Sequence, residues 1–153
     1  MHTFRILVVD DEIDFQETIV NRLKKRNLHA VGVASGEDAI AVLEDELYDV
    51  VLLDIKMPGG MDGIETLREI KRIQPLVEVL LLTGHASVET SIEGMKLGAF
   101  DYLLKPIKFE DLLTKMAQAF EKKAAHDSKI RNAKIQELIR YPSRVFEQEQ
   151  KDE

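Results

Sequence analysis

Short apolar runs alternate with longer amphipathic stretches along most of the chain. The runs fall at residues 6–9, 28–33, 50–53, 77–82 and 102–104. They are rich in Val, Ile and Leu and mostly lack the polar alternation of a one-sided sheet, so they predict strands covered on both faces, as in a parallel sheet. Between them, Phe15, Ile19, Val20 and Leu23 share a helical face, as do Ala39, Ile40, Leu43 and Leu47 after an N-cap at Ser35. Ile64, Leu67 and Ile70 predict a third helix, ended near Pro75. Ile92, Met95 and Leu97 predict a fourth, stopped by Gly98. Phe109, Leu112, Leu113, Met116 and Phe120 predict a fifth. Strands alternating with helices in this way give an α/β fold of three layers with right-handed crossovers.

The pattern weakens after residue 122. Lys122, Lys123, Lys129, Lys134 and Arg131, Arg140, Arg144 face only Asp127 and Glu137, and the last seven residues are EQEQKDE. The sequence therefore divides into a domain at 1–122 and a helical, polar extension at 123–153. The positive charges of the extension are spread around the helix without interleaved aromatics, which reads as a solvated face and not a nucleic-acid arm.

Composition narrows the class. With 44 % hydrophobic and 32 % charged residues the chain has an ordinary globular balance. It has no cysteine, which excludes a disulfide scaffold, a thiolate metal site and a Cys nucleophile. The net charge of −7 argues against direct nucleic-acid binding by the main body. No stretch is apolar enough for a membrane span, and the first apolar run is too short for a signal-peptide core, so a cytoplasmic setting is expected.

The candidate chemistry sits at the carboxyl end of each run. The first ends in Asp10, Asp11 and Glu12, the third in Asp54, the fourth in Thr83, the fifth in Lys105. In a parallel sheet these carboxyl ends share one edge, where open α/β sheets bind ligands at the point of reversed strand order. With strands ordered 2-1-3-4-5 that crevice lies between strands one and three, flanked by Asp10, Asp11 and Asp54. Three carboxylates so close repel one another unless a cation joins them. Oxygen ligands without His or Cys favour Mg²⁺ (or Mn²⁺) over zinc. With the charge of Lys105 and the hydroxyl of Thr83, such a site suits binding and transfer of a phosphoryl group.

The segments VVDDE, LLDIKMPGGMDG, LLTGH and GAFDYLLKP, in this order and at these spacings, resemble the receiver domain of bacterial two-component response regulators over residues 4–121. The resemblance implies a doubly wound, five-stranded, flavodoxin-like receiver fold with a C-terminal helical extension. It implies that Asp54 accepts phosphate from a sensor histidine kinase or phosphotransfer protein. Mg²⁺ would be held by Asp11 and Asp54, by the backbone carbonyl of Lys56, and by Asp10 through water. Thr83 and Lys105 would contact the phosphoryl oxygens, and Tyr102 matches the family's aromatic switch position. Lys56 and His85, each two residues beyond a site residue, match positions that tune hydrolysis. Lys105-Pro106 matches a bond that is usually cis in the family. The signalling surface would be the face of the fourth helix, fifth strand and fifth helix, with a phosphorylation-dependent homodimer through it; the downstream effector protein is unspecified. The expected chemistry is self-catalysed phosphotransfer and autodephosphorylation, not turnover of a separate substrate. Two rival readings are a degenerate receiver acting as a phosphorylation-independent module and a Mg²⁺-dependent aspartyl-phosphate phosphatase. The second normally needs an acid/base Asp two residues after the nucleophile, where this chain has Lys56.

One departure is visible. The family commonly reads D-x-x-M-P-x-M-D-G, whereas Met57-Pro58 is followed here by Gly59-Gly60-Met61-Asp62-Gly63, one residue longer. The extra glycine is expected to loosen this loop while leaving Lys56, which precedes it, in place.

Overall fold

The computed structural model of the chain describes residues 4–84 and 88–140. Strands β1 (Arg5–Val9), β2 (His29–Val33), β3 (Val50–Asp54), β4 (Glu78–Thr83) and β5 (Asp101–Leu104) form one parallel sheet in the order β2-β1-β3-β4-β5. Helices α1 (Ile13–Lys25), α2 (Gly36–Asp45), α3 (Gly63–Ile73) and α4 (Val88–Lys96) make the crossovers, and α5 (Phe109–Arg140) follows the last strand. This is the doubly wound receiver architecture that the sequence predicts.

The apolar runs are continuous because alternate residues of each strand serve opposite layers. Ile6, Val8, Leu52, Leu80 and Leu82 pack with Leu23 of α1 and Leu112 and Met116 of α5. Leu7, Val9, Val51, Leu53 and Leu81 pack with Leu43 of α2 and Leu67 and Ile70 of α3. Burying one such leucine contributes about 2 kcal/mol of transfer free energy. Helix starts follow local chemistry: Ser35 Oγ accepts from the Asp38 N–H at 3.1 Å, and Asp62 Oδ1 from the Glu65 N–H at 2.8 Å.

Two expectations are corrected. Leu47 does not continue the buried stripe of α2: the helix ends at Asp45, Glu46 is extended, and Leu47 is 77 % exposed. In α4 the stripe faces outward, with Ile92 53 % and Met95 38 % exposed, beside the equally uncovered Tyr102 and Leu104 of β5. Among residues 89–96 of α4 the buried positions are Ser91 and Gly94, small residues that let the helix approach the sheet; a Cβ on Gly94 would lie 2.3 Å from Leu81 Cδ1. Helix α5 passes residue 122 without a break. What changes there is burial: Phe120 is the last buried residue described, and residues 121–137 are half-buried or exposed.

Candidate functional site

The carboxyl ends of β1, β3, β4 and β5 bring Asp10, Asp54, Thr83 and Lys105 to one edge. Asp10 is fully buried directly after β1. Its backbone N–H donates to the Val33 carbonyl at 3.1 Å, which joins it to the end of β2. Its Oδ1 accepts from the Glu12 N–H at 2.9 Å, and its Oδ2 accepts from Lys105 Nζ at 2.8 Å. Asp54, the last residue of β3, is also buried; its Oδ1 accepts from the Lys56 N–H at 3.2 Å, and its Oδ2 stands 3.6 Å from Lys105 Nζ. The Lys105 N–H donates to the Thr83 carbonyl at 2.8 Å, fixing the start of the lysine against β4. Its ammonium also lies 4.4 Å above the Phe15 ring and 3.5 Å from Glu12 Oε1. Lys105-Pro106 is cis.

Oxygens of Asp10, Glu12 and Asp54 lie within 4.8 Å of one another. Three carboxylates against one ammonium leave a surplus of negative charge in a largely buried crevice. Burial pushes the Asp54 carboxyl up from 3.8 to about 6, and the neighbouring charge of Asp10 adds to the rise, while Lys105 and the Lys56 N–H oppose it. Burial likewise raises Asp10, against the hydrogen bond from Lys105. Burial by itself would lower Lys105; the hydrogen bond and charge of Asp10, with Asp54 and Glu12, hold it above its ordinary value. A set of hard oxygen donors with excess negative charge fits a hard cation, and binding one would relieve the carboxylate repulsion.

The positions named from the sequence are not all equivalent. Lys105 is in contact with both Asp10 and Asp54. Thr83 is buried at the same edge, its hydroxyl donating to the Gly84 carbonyl at 3.0 Å. Asp11 is exposed and outside the acidic group, which takes Glu12 instead. The Lys56 side chain is exposed while its N–H touches Asp54. Tyr102 is 42 % exposed and lines a hollow of about 330 Å³ with Ser91, Ile92, Met95 and Lys96 of α4. His85 lies outside the described residues.

Two supporting residues are not singled out by the sequence motifs. Gln16 Nε2 donates to the carbonyls of Asp10 (3.0 Å) and Val33 (2.7 Å), locking the turn after β1. The sequence does carry a signal for it: Gln16 occupies the same face of α1 as Ile19, Val20 and Leu23, where an apolar residue is expected. Glu37, in the first turn of α2, accepts from the Met61 N–H at 2.6 Å. With the Gly63 N–H donating to the Ile55 carbonyl at 3.1 Å, the longer loop is tied at tip and base. Gly59 (φ 78°) and Gly60 (φ 82°) supply the left-handed turn between those ties. The expected loosening is therefore not what the structure shows.

A family model described as the response regulator receiver domain matches residues 6–117. The chain is 39 % identical over 121 residues to the transcriptional regulatory protein ZraR of Salmonella typhimurium, covering 79 % of this chain and 26 % of the relative. The chain thus spans only a minor part of the length of that curated relative. Its fold is similar to a CheY-like receiver domain protein from Methanospirillum hungatei (TM-score 0.78, 29 % identity, 82 % and 99 % of the two chains). It is also similar to a receiver domain protein from Clostridium thermocellum (TM-score 0.76, 35 % identity, 80 % and 98 %).

Proposed function

Because this chain belongs to the response regulator receiver domain family, we propose that it is a phosphorylation-controlled switch in which Asp54 accepts a phosphoryl group from the phosphohistidine of a sensor histidine kinase or phosphotransfer protein. The observation that carries this reading is the burial of Asp54 at the strand edge beside both Asp10 and Lys105. An ionised Asp54 oxygen attacks phosphorus in line; the O–P bond forms as the P–N bond to the imidazole breaks, and the imidazole keeps the electron pair and takes up a proton. Asp11, Asp54 and the Lys56 carbonyl, with Asp10 acting through water, would hold Mg²⁺, which would supply charge neutralisation for that transfer. Glu12 extends the same acidic group.

Lys105 serves the phosphoryl group by a charge-assisted contact. For this its ammonium exchanges part of its hold on Asp10 for the new oxygens. The Thr83 hydroxyl turns from the Gly84 carbonyl toward them, and Tyr102 moves into the space vacated. These shifts alter the outward face of α4, β5 and α5, which is the surface proposed to meet the effector or a second copy. Such a switch requires only a few kcal/mol of differential stabilisation between two existing states. Loss of the phosphoryl group is autocatalytic, without turnover of a separate substrate, and the setting proposed is the cytoplasm. Among the described residues no helix is long and apolar enough to cross a membrane.

The test is incorporation of phosphate from acetyl phosphate and Mg²⁺, followed by mass spectrometry of the intact chain. One phosphoryl group per chain is expected, absent from Asp54→Asn. Labelling of Asp54→Asn at the wild-type rate would remove Asp54 from the role, and no labelling of the wild type would favour a phosphorylation-independent module.

A further inference from the structure

At the sheet edge opposite Asp54, the segments preceding β3 and β4 meet the side of α5 in an apolar cleft of about 430 Å³. Its floor is Tyr48 and Val77, both buried, and Leu47 stands at its rim 77 % exposed. Lys123 and Asp127 form the wall supplied by α5. One turn beyond Asp127, on the same helical face, Ile130 is 42 % exposed. An exposed leucine, an apolar hollow and an exposed isoleucine in line are more than scattered surface apolar residues.

The chain continues past α5 as YPSRVFEQEQKDE. The helix rises about 20 Å between Asp127 and Arg140. An extended chain covers that distance in about six residues, which is the separation of Phe146 from Arg140. Pro142 lacks the amide hydrogen needed to prolong the helix ladder. The charges are also opposed: the segment carries Glu147, Glu149, Asp152 and Glu153 against Arg144 and Lys151, and the helix carries Lys129, Arg131 and Lys134. Lys129, Arg131 and Lys134 are exposed and form no ion pair among the described residues.

We propose that this cleft is the docking site of the chain's own residues 141–153, with Val145 and Phe146 as the apolar anchor and the acidic residues after them attracted to the basic flank of α5. The contact ties the projecting end of α5 back to the edge of the domain that is remote from Asp54, and it depends on no feature of the acidic site.

The absence of cysteine allows a direct test on the full chain. Leu47→Cys/Phe146→Cys is oxidised in dilute solution beside Ile13→Cys/Phe146→Cys, whose Ile13 is exposed at the opposite edge. An intramolecular disulfide is expected to form in the first pair about tenfold faster or more, because docking raises the effective concentration of the two thiols. Methyl NMR signals of Leu47 and of Leu76, which also lines the cleft, should shift on Phe146→Ala, through loss of the aromatic ring. Equal oxidation rates with unmoved methyl signals would overturn the proposal. So would disulfides that form mainly between chains and grow with protein concentration, since a second copy would then be the occupant.

Discussion

Lys105 Nζ lies 2.8 Å from Asp10 Oδ2 but 3.6 Å from Asp54 Oδ2, so the half-buried ammonium of the site is held by the carboxylate that is not the proposed phosphoacceptor. Phosphorylation of Asp54 would place new anionic oxygens beside a cation already poised between the two acids. The pair Asp10–Lys105 thus stores the charge on which the switch draws.

Removing that charge should be costly. Lys105→Ala leaves Asp10 and Asp54 buried without a counter-ion, and the expected loss at neutral pH is about 3 kcal/mol in urea unfolding. Mg²⁺ should recover more stability in the variant than in the wild type. Equal Mg²⁺ responses would show that the ammonium does little to offset the carboxylates.

The raised Asp54 gives a pH signature. Its carboxyl binds its proton more tightly folded (about 6) than at its ordinary value of 3.8. The associated stability is therefore complete below about pH 4 and lost as pH rises through about 6. In EDTA, lowering pH from 7 to 5 should stabilise the wild type relative to Asp54→Asn, with a ceiling of about 3 kcal/mol for the whole titration. A pH-independent difference between the two proteins would contradict the assignment.

Asp11 and Glu12 compete for the role of metal ligand. Asp11→Ala is expected to weaken Mg²⁺ binding about tenfold or more in calorimetry, as loss of a carboxylate from the metal shell does. Glu12→Ala should cost less, because its carboxylate is not among the proposed ligands and already faces the Lys105 ammonium at 3.5 Å. The reverse ranking would assign the shell to the acidic group seen here.

Lys56 should act through its side chain on lifetime and through its backbone on metal. Its side chain is exposed two residues beyond Asp54; an ammonium that pairs with the acyl phosphate would hinder water, so Lys56→Ala is predicted to shorten the phosphorylated lifetime severalfold with Mg²⁺ affinity unchanged. A decay assay at equal Mg²⁺ checks this, and an equal or longer lifetime would refute it.

At the loop after β3 two glycines should differ in kind. A Cβ on Gly63 would sit 2.5 Å from the Ile55 backbone, which cannot step aside, so Gly63→Ala should cost about 2–3 kcal/mol. Gly59 has open space around it but a φ of 78°, so Gly59→Ala should cost about 1–2 kcal/mol. Urea midpoints of the two variants give the comparison.

Most of the scaffold is legible in the sequence because a two-sided sheet demands uninterrupted Val, Ile and Leu, and residues 50–53 and 79–82 supply it. The edge carrying Asp10, Asp54, Thr83 and Lys105 is legible from the same runs, since each polar residue directly ends one. What misleads is apolar spacing without a record of direction: Ile92 and Met95 have the periodicity of a core stripe, yet the small Ser91 and Gly94 are what α4 turns inward. Glu12 entering the acidic group instead of Asp11 depends on how the chain turns after β1, and no spacing rule encodes that. Contacts such as Glu37 to Met61 join residues from different crossovers and become visible only once the loops are placed.

The uninterrupted run of α5 makes it a lever. Its first turn begins four residues after Lys105, and its described part spans 32 residues. A rod of about 48 Å converts a tilt of about 5° at one end into about 4 Å of sweep at the other. A rearrangement beside Lys105 too small to disturb the packed layers would then arrive at the far end of the helix as a displacement the width of a side chain.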